Sequence, residues 1–122
     1  MNSNSMYAFY GSLRKGMINH EIYKHALEYQ YSINLEGFKM YALENYPFAV
    51  KTFQPKDSIF VEIFRISNSE VEKSIHQLEL SVGYHYDEVI VNTNAVGIYL
   101  FHQPENYTEV VGGDWVKFFG FR

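Results

Sequence analysis

A chain of 122 residues is long enough to bury roughly two-thirds of the surface it exposes when unfolded, which fits a single domain over 1–122 built on one core. Ten Lys and Arg against 14 Asp and Glu leave a net charge of −4, and no basic cluster exceeds Arg14-Lys15, so the pattern excludes a nucleic-acid footprint and favours a small polar metabolite or peptide as partner. Zero cysteines exclude disulfides, thiolate nucleophiles and thiolate metal sites. No apolar run approaches a membrane span, and Met1-Asn-Ser-Asn-Ser5 lacks the charged and apolar regions of a signal peptide, so the expected location is the cytoplasm.

The stretch Met6-Tyr-Ala-Phe-Tyr-Gly-Ser-Leu-Arg-Lys-Gly16 reads as a strand running into a glycine-bounded turn. Met6, Ala8 and Tyr10 alternate with Tyr7 and Phe9, so both faces are apolar, the pattern of a central strand. Gly11 tolerates positive φ and close approach of other atoms, and the amides of Gly11, Ser12 and Leu13 are placed to turn inward as an anion-accepting nest. On spacing alone, a plain strand-to-helix connection is the stronger reading. A phosphate loop is excluded, because Met17 and Ile18 stand where the pattern needs a lysine and a serine or threonine. Arg14 and Lys15 are expected to form a solvated turn face, with an outer attraction for anionic substrates as the second reading.

Asn19 is expected to cap a helix over His20–Gln30, with Ile18 stapled against Tyr23. Extended segments follow at Tyr31–Leu43, Phe48–Phe53 and Ser58–Ile66, between turn compositions at Asn45-Tyr-Pro47 and Gln54-Pro-Lys-Asp57, and Gly37 bends the first of them. A second helix starts from Ser67 or Ser69, each with a Glu three residues on. It presents Val71, Ile75, Leu78 and Val82 to the core and stops at Gly83. Strands Tyr84–Thr93 and Ala95–Phe101 form a hairpin about Asn92-Thr-Asn94, and the tail brings Trp115, Phe118, Phe119 and Phe121 over the core. The expected class is α+β, a small curved mixed sheet or barrel with two main helices. With 11 Tyr and 10 Phe, several tyrosines should line a polar cavity, because a buried phenol needs a partner for its hydroxyl.

Within this layout Glu79 stands out. It lies at the edge of the helix's apolar stripe and in the last turn, where the dipole and partial burial both push a carboxyl pKa upward. A carboxylate so placed is a candidate general base, against the ordinary reading of a solvated helix flank. His20, His25, His76, His85 and His102 show no metal-ligand spacing, and no metal or other cofactor is expected. Ser12 lacks the Gly-x-Ser-x-Gly setting of a nucleophile.

The order and spacing of these features resemble the γ-glutamylcyclotransferase-like superfamily, including the γ-glutamylamine cyclotransferases. Its signature is a first strand ending in Tyr-Gly-Ser/Thr-Leu, here Tyr10-Gly-Ser-Leu13, and a helix ending in a catalytic glutamate within Leu-Asp-x-hydrophobic-Glu, here Ile75-His-Gln-Leu-Glu79. Tyr84, the strand Val89-Ile-Val91, and Tyr41-Ala-Leu43 with Pro47 also fall in register, so the resemblance runs from about Tyr7 to Trp115. Three positions depart from the pattern: His76 for an aspartate, Tyr86 for an arginine, and Val61 for a glycine before Glu62.

The resemblance implies a cyclotransferase that closes a γ-glutamyl amine or peptide to 5-oxoproline and releases the second amine. Glu79 would be the general acid and base. Gly11, Ser12 and Leu13 would bind the substrate carboxylate or the developing oxyanion, with Tyr10, Tyr84 and Tyr107 as cavity walls. The alternative is a non-catalytic, metabolite-binding or regulatory member of the same fold, for which the departures at His76 and Tyr86 are the argument. Neither oligomeric state nor the leaving amine is readable from the chain.

Overall fold

The structure, a computed structural model, describes residues 4–43, 46–101 and 107–120. Strand β1 (Met6–Phe9) leads through the glycine turn into a short helix α1 (Ile18–Tyr23), a 3-10 turn (Lys24–Ala26) and the long strand β2 (Leu27–Glu36). Then come β3 (Phe38–Leu43), β4 (Tyr46–Lys51), β5 (Ser58–Ile66), helix α2 (Ser69–Ser81), β6 (His85–Val91), β7 (Asn94–Leu100), β8 (Thr108–Glu109) and helix α3 (Trp115–Gly120). The strands form a five-stranded sheet in the order β2-β5-β1-β7-β6 and a three-stranded sheet in the order β4-β3-β8. β1 pairs antiparallel with β5 and parallel with β7, so the larger sheet is mixed and β1 is central, as its two apolar faces require. The α+β class holds. The strands divide between two open sheets, however, and do not close into a barrel.

The first helix is shorter than expected. Residues 27–36 read Leu-Glu-Tyr-Gln-Tyr-Ser-Ile-Asn-Leu-Glu, an apolar/polar alternation of period two, and they pair along the whole of β5 with a bulge between Tyr29 and Tyr31. That strand takes the residues from Leu27 to Gln30 that the helical reading had claimed. The capping residue also differs: Met17 occupies the N-cap position and Asn19 lies inside the helix. Ile18 is largely exposed, so no hydrophobic staple forms. Gly37, at φ +92°, separates β2 from β3 and lets the chain pass from one sheet to the other.

Helix α2 is capped by Asn68, whose side chain accepts hydrogen bonds from the N–H groups of Glu70 and Val71, and not by Ser67 or Ser69. Ile75 is buried and Val71 packs against the core, while Val82 is exposed at the helix end. Glu72 is the unexpected member of the buried face. It accepts hydrogen bonds from the Tyr7 hydroxyl and from Ser5 Oγ (3.0 Å), which satisfy a carboxylate that burial would otherwise penalise. The β6–β7 hairpin turns on Asn92 and Thr93, both with positive φ, the geometry of a type I′ turn.

Asp57 N–H donates to Gln54 O at 3.0 Å, so that turn forms where its composition placed it. Asn45 lies outside the described residues, and Tyr46 and Pro47 already belong to β4. At the other end of the chain, Gly113 approaches β5 so closely that a Cβ there would sit 2.3 Å from Ser58 O. Its carbonyl accepts from Phe60 N–H at 2.7 Å. Trp115 is buried beyond it, with Phe118 and Phe119 against its ring, whereas Phe121 lies outside the described residues.

Arg14 is buried, which overturns the solvated-face reading. Its Nε lies 3.1 Å from Glu62 Oε2 and its Nη1 2.8 Å from Asp114 Oδ1. The guanidinium also covers the Phe60 ring, 4.6 Å from the centroid, and Glu62 Oε1 accepts the Lys15 N–H at 2.8 Å. Burial pushes the Asp114 carboxyl up, but its hydrogen bonds and proximity to Arg14 and Lys117 N–H outweigh this and hold it below the ordinary aspartate value. A depressed carboxyl pKa contributes stability that is complete above the unfolded value and disappears as pH falls through the folded one.

Arg14→Leu, which strands two carboxylates without their cation, is therefore expected to cost about 3–5 kcal/mol in urea unfolding at pH 7. A loss below about 1 kcal/mol would class the cluster with surface ion pairs.

Candidate active site

The turn after β1, the last turn of α2, the start of β4 and the end of β7 enclose a cavity of about 270 Å³. Tyr10, Gly11, Ser12 and Leu13 line one side, Leu78, Glu79, Val82 and Tyr84 another, and Ile18, Asn19, Tyr46, Pro47 and Tyr99 complete it. Thus the sequence-expected residues Glu79, Tyr10, Gly11, Ser12, Leu13 and Tyr84 come together around one space. Tyr107 does not join them. It is exposed and sets its ring edge against Phe48, 5.2 Å between centroids.

Local rules of helix termination bring Glu79 and Tyr84 together. α2 ends at Ser81 with Val82 at the C-cap and Gly83 at φ +105°. Tyr84 N–H donates to Glu79 O at 3.2 Å, and Gly83 N–H to Leu80 O at 3.2 Å. This is a Schellman motif, and it needs a glycine at the left-handed position. The Tyr84 hydroxyl then donates to Pro47 O across the cavity. Tyr10 OH donates to Tyr99 O at 2.5 Å and accepts from Ala49 N–H at 3.1 Å. Both phenols are thus committed to backbone groups, and they hold β4 and β7 at the cavity wall.

Gly11 is required for space and not for a positive φ. A Cβ on it would lie 2.8 Å from Pro47 Cγ. The turn continues with Arg14 N–H donating to Gly11 O at 3.0 Å. Ser12 O accepts from the N–H groups of Asn19 and His20 (3.0 Å each), and Ser12 Oγ accepts from Asn19 Nδ2 at 2.7 Å. Among the described residues, no acceptor is present for the N–H groups of Gly11, Ser12 and Leu13. Among the described residues, no histidine or carboxylate is hydrogen-bonded to the Ser12 hydroxyl, whose partner is Asn19 Nδ2, so none of them activates it as a nucleophile.

Burial pushes the Glu79 carboxyl up to about 7. Among the described residues, no hydrogen bond or ion pair reaches that carboxyl and no Lys, Arg or His lines the cavity. Burial also raises the phenols of Tyr10, Tyr84 and Tyr99, with the nearby charge of Glu79 adding to each, so they stay neutral hydroxyls. A carboxyl poised near neutrality, lining the same small cavity as a turn with unused backbone donors, suits proton transfer at a bound, anionic or oxyanion-forming ligand.

The three departures from the signature pattern lie outside the cavity lining. His76 Nδ1 is 2.9 Å from Tyr99 OH, and the Tyr86 ring lies 5.6 Å from that of Tyr99 and 5.8 Å from His76. Val61 is buried in β5 opposite Ile33. None of the three lines the cavity. Asn19, Tyr46, Pro47 and Tyr99 do line it and were not singled out as site residues. Asn19 carried a usable signal as a polar residue just after the turn, but Tyr99 sits in an ordinary apolar strand with nothing to mark it. Among the described residues, no three His, Asp or Glu side chains gather where a metal ion could be held, and no helix is long and apolar enough to cross a membrane.

Comparison with known structures gives the same fold. The uncharacterized protein PH0828 of Pyrococcus horikoshii superposes with a TM-score of 0.78 at 25% identity, covering 93% of this chain and 91% of that one. YkqA of Bacillus subtilis gives 0.68 at 28% identity over 93% of this chain but 40% of its own, so this chain corresponds to less than half of that protein. The ytfP protein of Escherichia coli, at 18% identity and a TM-score of 0.70 over 91% and 96% of the two chains, shares the fold. A comparison with curated proteins finds no match. Residues 7–117 match the family described as "Gamma-glutamyl cyclotransferase, AIG2-like". With nearly the whole chain inside that match, this protein belongs to the AIG2-like γ-glutamyl cyclotransferase family.

Proposed function

We propose that the protein cyclises a γ-glutamyl amine or peptide, releasing 5-oxoproline and the free amine, with Glu79 as general base and then general acid. The observation that carries this reading is the Glu79 carboxyl, poised near pH 7 by burial, lining the same small cavity as the Gly11–Leu13 turn.

The reaction is intramolecular, so holding the substrate folded with its α-amine against its own γ-carbonyl supplies much of the rate. Glu79 takes a proton from the α-ammonium. The freed lone pair forms the ring C–N bond while the carbonyl π electrons move to oxygen. Collapse of that oxyanion breaks the bond to the leaving nitrogen, which takes the proton held by Glu79; the freed carboxylate then removes the second proton of the ring nitrogen and releases it to solvent, leaving a neutral lactam and the free amine. The unused N–H groups of Gly11, Ser12 and Leu13 would take either the substrate carboxylate or the oxyanion. Tyr10 and Tyr84, whose hydroxyls are committed to backbone groups, would serve as walls. A non-catalytic binding role gains little support, because His76 and Tyr86 touch Tyr99 from outside the cavity lining and leave the carboxyl in its setting.

Glu79→Gln keeps volume and an acceptor oxygen but takes no proton near neutrality, so 5-oxoproline release from a panel of γ-glutamyl amines is expected to fall by about two orders of magnitude or more. Near-full turnover would return Glu79 to a helix-flank role. The same variant has a pH-dependent effect on stability. A carboxyl whose folded pKa is raised is no burden below its unfolded value of 4.5, and it destabilises progressively as pH rises toward and past about 7. Glu79→Gln is therefore expected to raise the thermal midpoint at pH 8 and leave it nearly unchanged at pH 4; equal shifts at both would show that the carboxyl is not perturbed. Turnover is also expected to survive exhaustive chelation, and a loss restored by added zinc or magnesium would overturn the mechanism.

A further inference from the structure

The mouth of the cavity carries information about the leaving amine. Its enclosed volume, about 270 Å³, falls below the range of about 300–1,000 Å³ that houses drug-sized ligands. A glutamyl-sized group occupies about half of such a space, so the amine attached to it lies against the remaining lining. At the mouth stand Ile18, 74% exposed, and Val82, 43% exposed, with the half-buried Leu78 beside Glu79 on the same helix. Ile18 comes from α1, Leu78 from α2 and Val82 from the C-cap of α2, so three aliphatic side chains line this part of the cavity. Among the described lining residues Glu79 is the sole carboxylate, and there is no cation.

From this rim, and resting on the cyclotransferase reading above, we propose that the preferred substrates are γ-glutamyl amides of uncharged, apolar amines. An aliphatic leaving group covers Ile18, Leu78 and Val82 and removes their surface from water. An anionic leaving group, such as an amino acid carboxylate, loses hydration against the rim with no counter-ion among the described lining residues to replace it. A diamine's distal ammonium fares no better, because its reacting nitrogen lies at Glu79 and the far end is then held among the aliphatic groups. Specificity here comes from what the rim lacks as much as from what it offers.

The test compares γ-glutamyl-isoamylamide, γ-glutamyl-glycine and γ-glutamyl-cadaverine as substrates, following 5-oxoproline release, with binding of each measured in parallel by thermal shift. The isoamylamide is expected to show kcat/KM at least about tenfold above the other two, the scale on which apolar pockets discriminate. Ile18→Lys and Val82→Lys, each adding a cation at the mouth, are expected to move the ratio toward γ-glutamyl-glycine by about tenfold, a change that loss of folding does not mimic because it is read as a ratio within one protein. Turnover indifferent to the charge of the leaving group would overturn the rim's preference and leave the cyclotransferase reading intact. Preferential binding of the isoamylamide without any 5-oxoproline would do the reverse, and the absence of both binding and turnover would overturn both.

Discussion

The buried guanidinium of Arg14 is the constraint on which the site depends. It joins segments far apart in sequence: its own turn after β1, Glu62 in β5, and Asp114 at the entry to α3. Taking three charges out of water is costly, and what offsets the cost is that Nε and Nη1 each meet a carboxylate and the cation also lies over Phe60. The pair in place adds little to net stability compared with apolar packing, yet removing one partner leaves the others uncompensated, so the cluster acts as a specificity device for the turn. The Gly11–Leu13 backbone sits immediately before Arg14 and inherits its fixed position.

Against that fixed turn, the opposite wall is built from backbone-directed phenols. Tyr10 and Tyr84 spend their hydroxyls on the carbonyls of Tyr99 and Pro47, and Asn19 spends its amide on Ser12 Oγ. The phenols and the amide that share the cavity with Glu79 are thus engaged elsewhere. The carboxyl keeps the full penalty of its burial, and no partner lowers its pKa again. The perturbed acidity follows from this division of hydrogen bonds, in the way functional sites hold destabilising features that the rest of the fold tolerates.

Much of this was legible in the chain before the structure, for identifiable reasons. The central strand, the α2 stripe and its glycine stop, and the hairpin rest on local periodicity and terminal signals, which act over a few residues, whereas the pairing of the Tyr10–Leu13 turn with Glu79 came from the resemblance to the cyclotransferase family. What was missed needed knowledge of partners distant in sequence. The alternation from Leu27 to Leu35 was visible, but choosing it over a helix required β5 as a partner. Arg14 was read as solvated because nothing near it in sequence announces Glu62 or Asp114. Glu72 looks like an ordinary first-turn glutamate until Tyr7 and Ser5 are placed above it. The role of Gly11 as space for Pro47, and the failure of Tyr107 to reach the cavity, likewise depend on how the second sheet packs.

The Schellman ending of α2 makes Glu79 and Tyr84 a single opening unit. The Tyr84 N–H is hydrogen-bonded to the carbonyl of Glu79 itself, so any fluctuation that unravels the final turn releases the carboxyl and the phenol together. Solvent exchange of that one amide proton therefore reports how often this terminal turn opens, without substrate. A ligand that fills the cavity slows the exchange by binding only the closed form, which turns an ordinary helix terminus into a built-in gauge of occupancy.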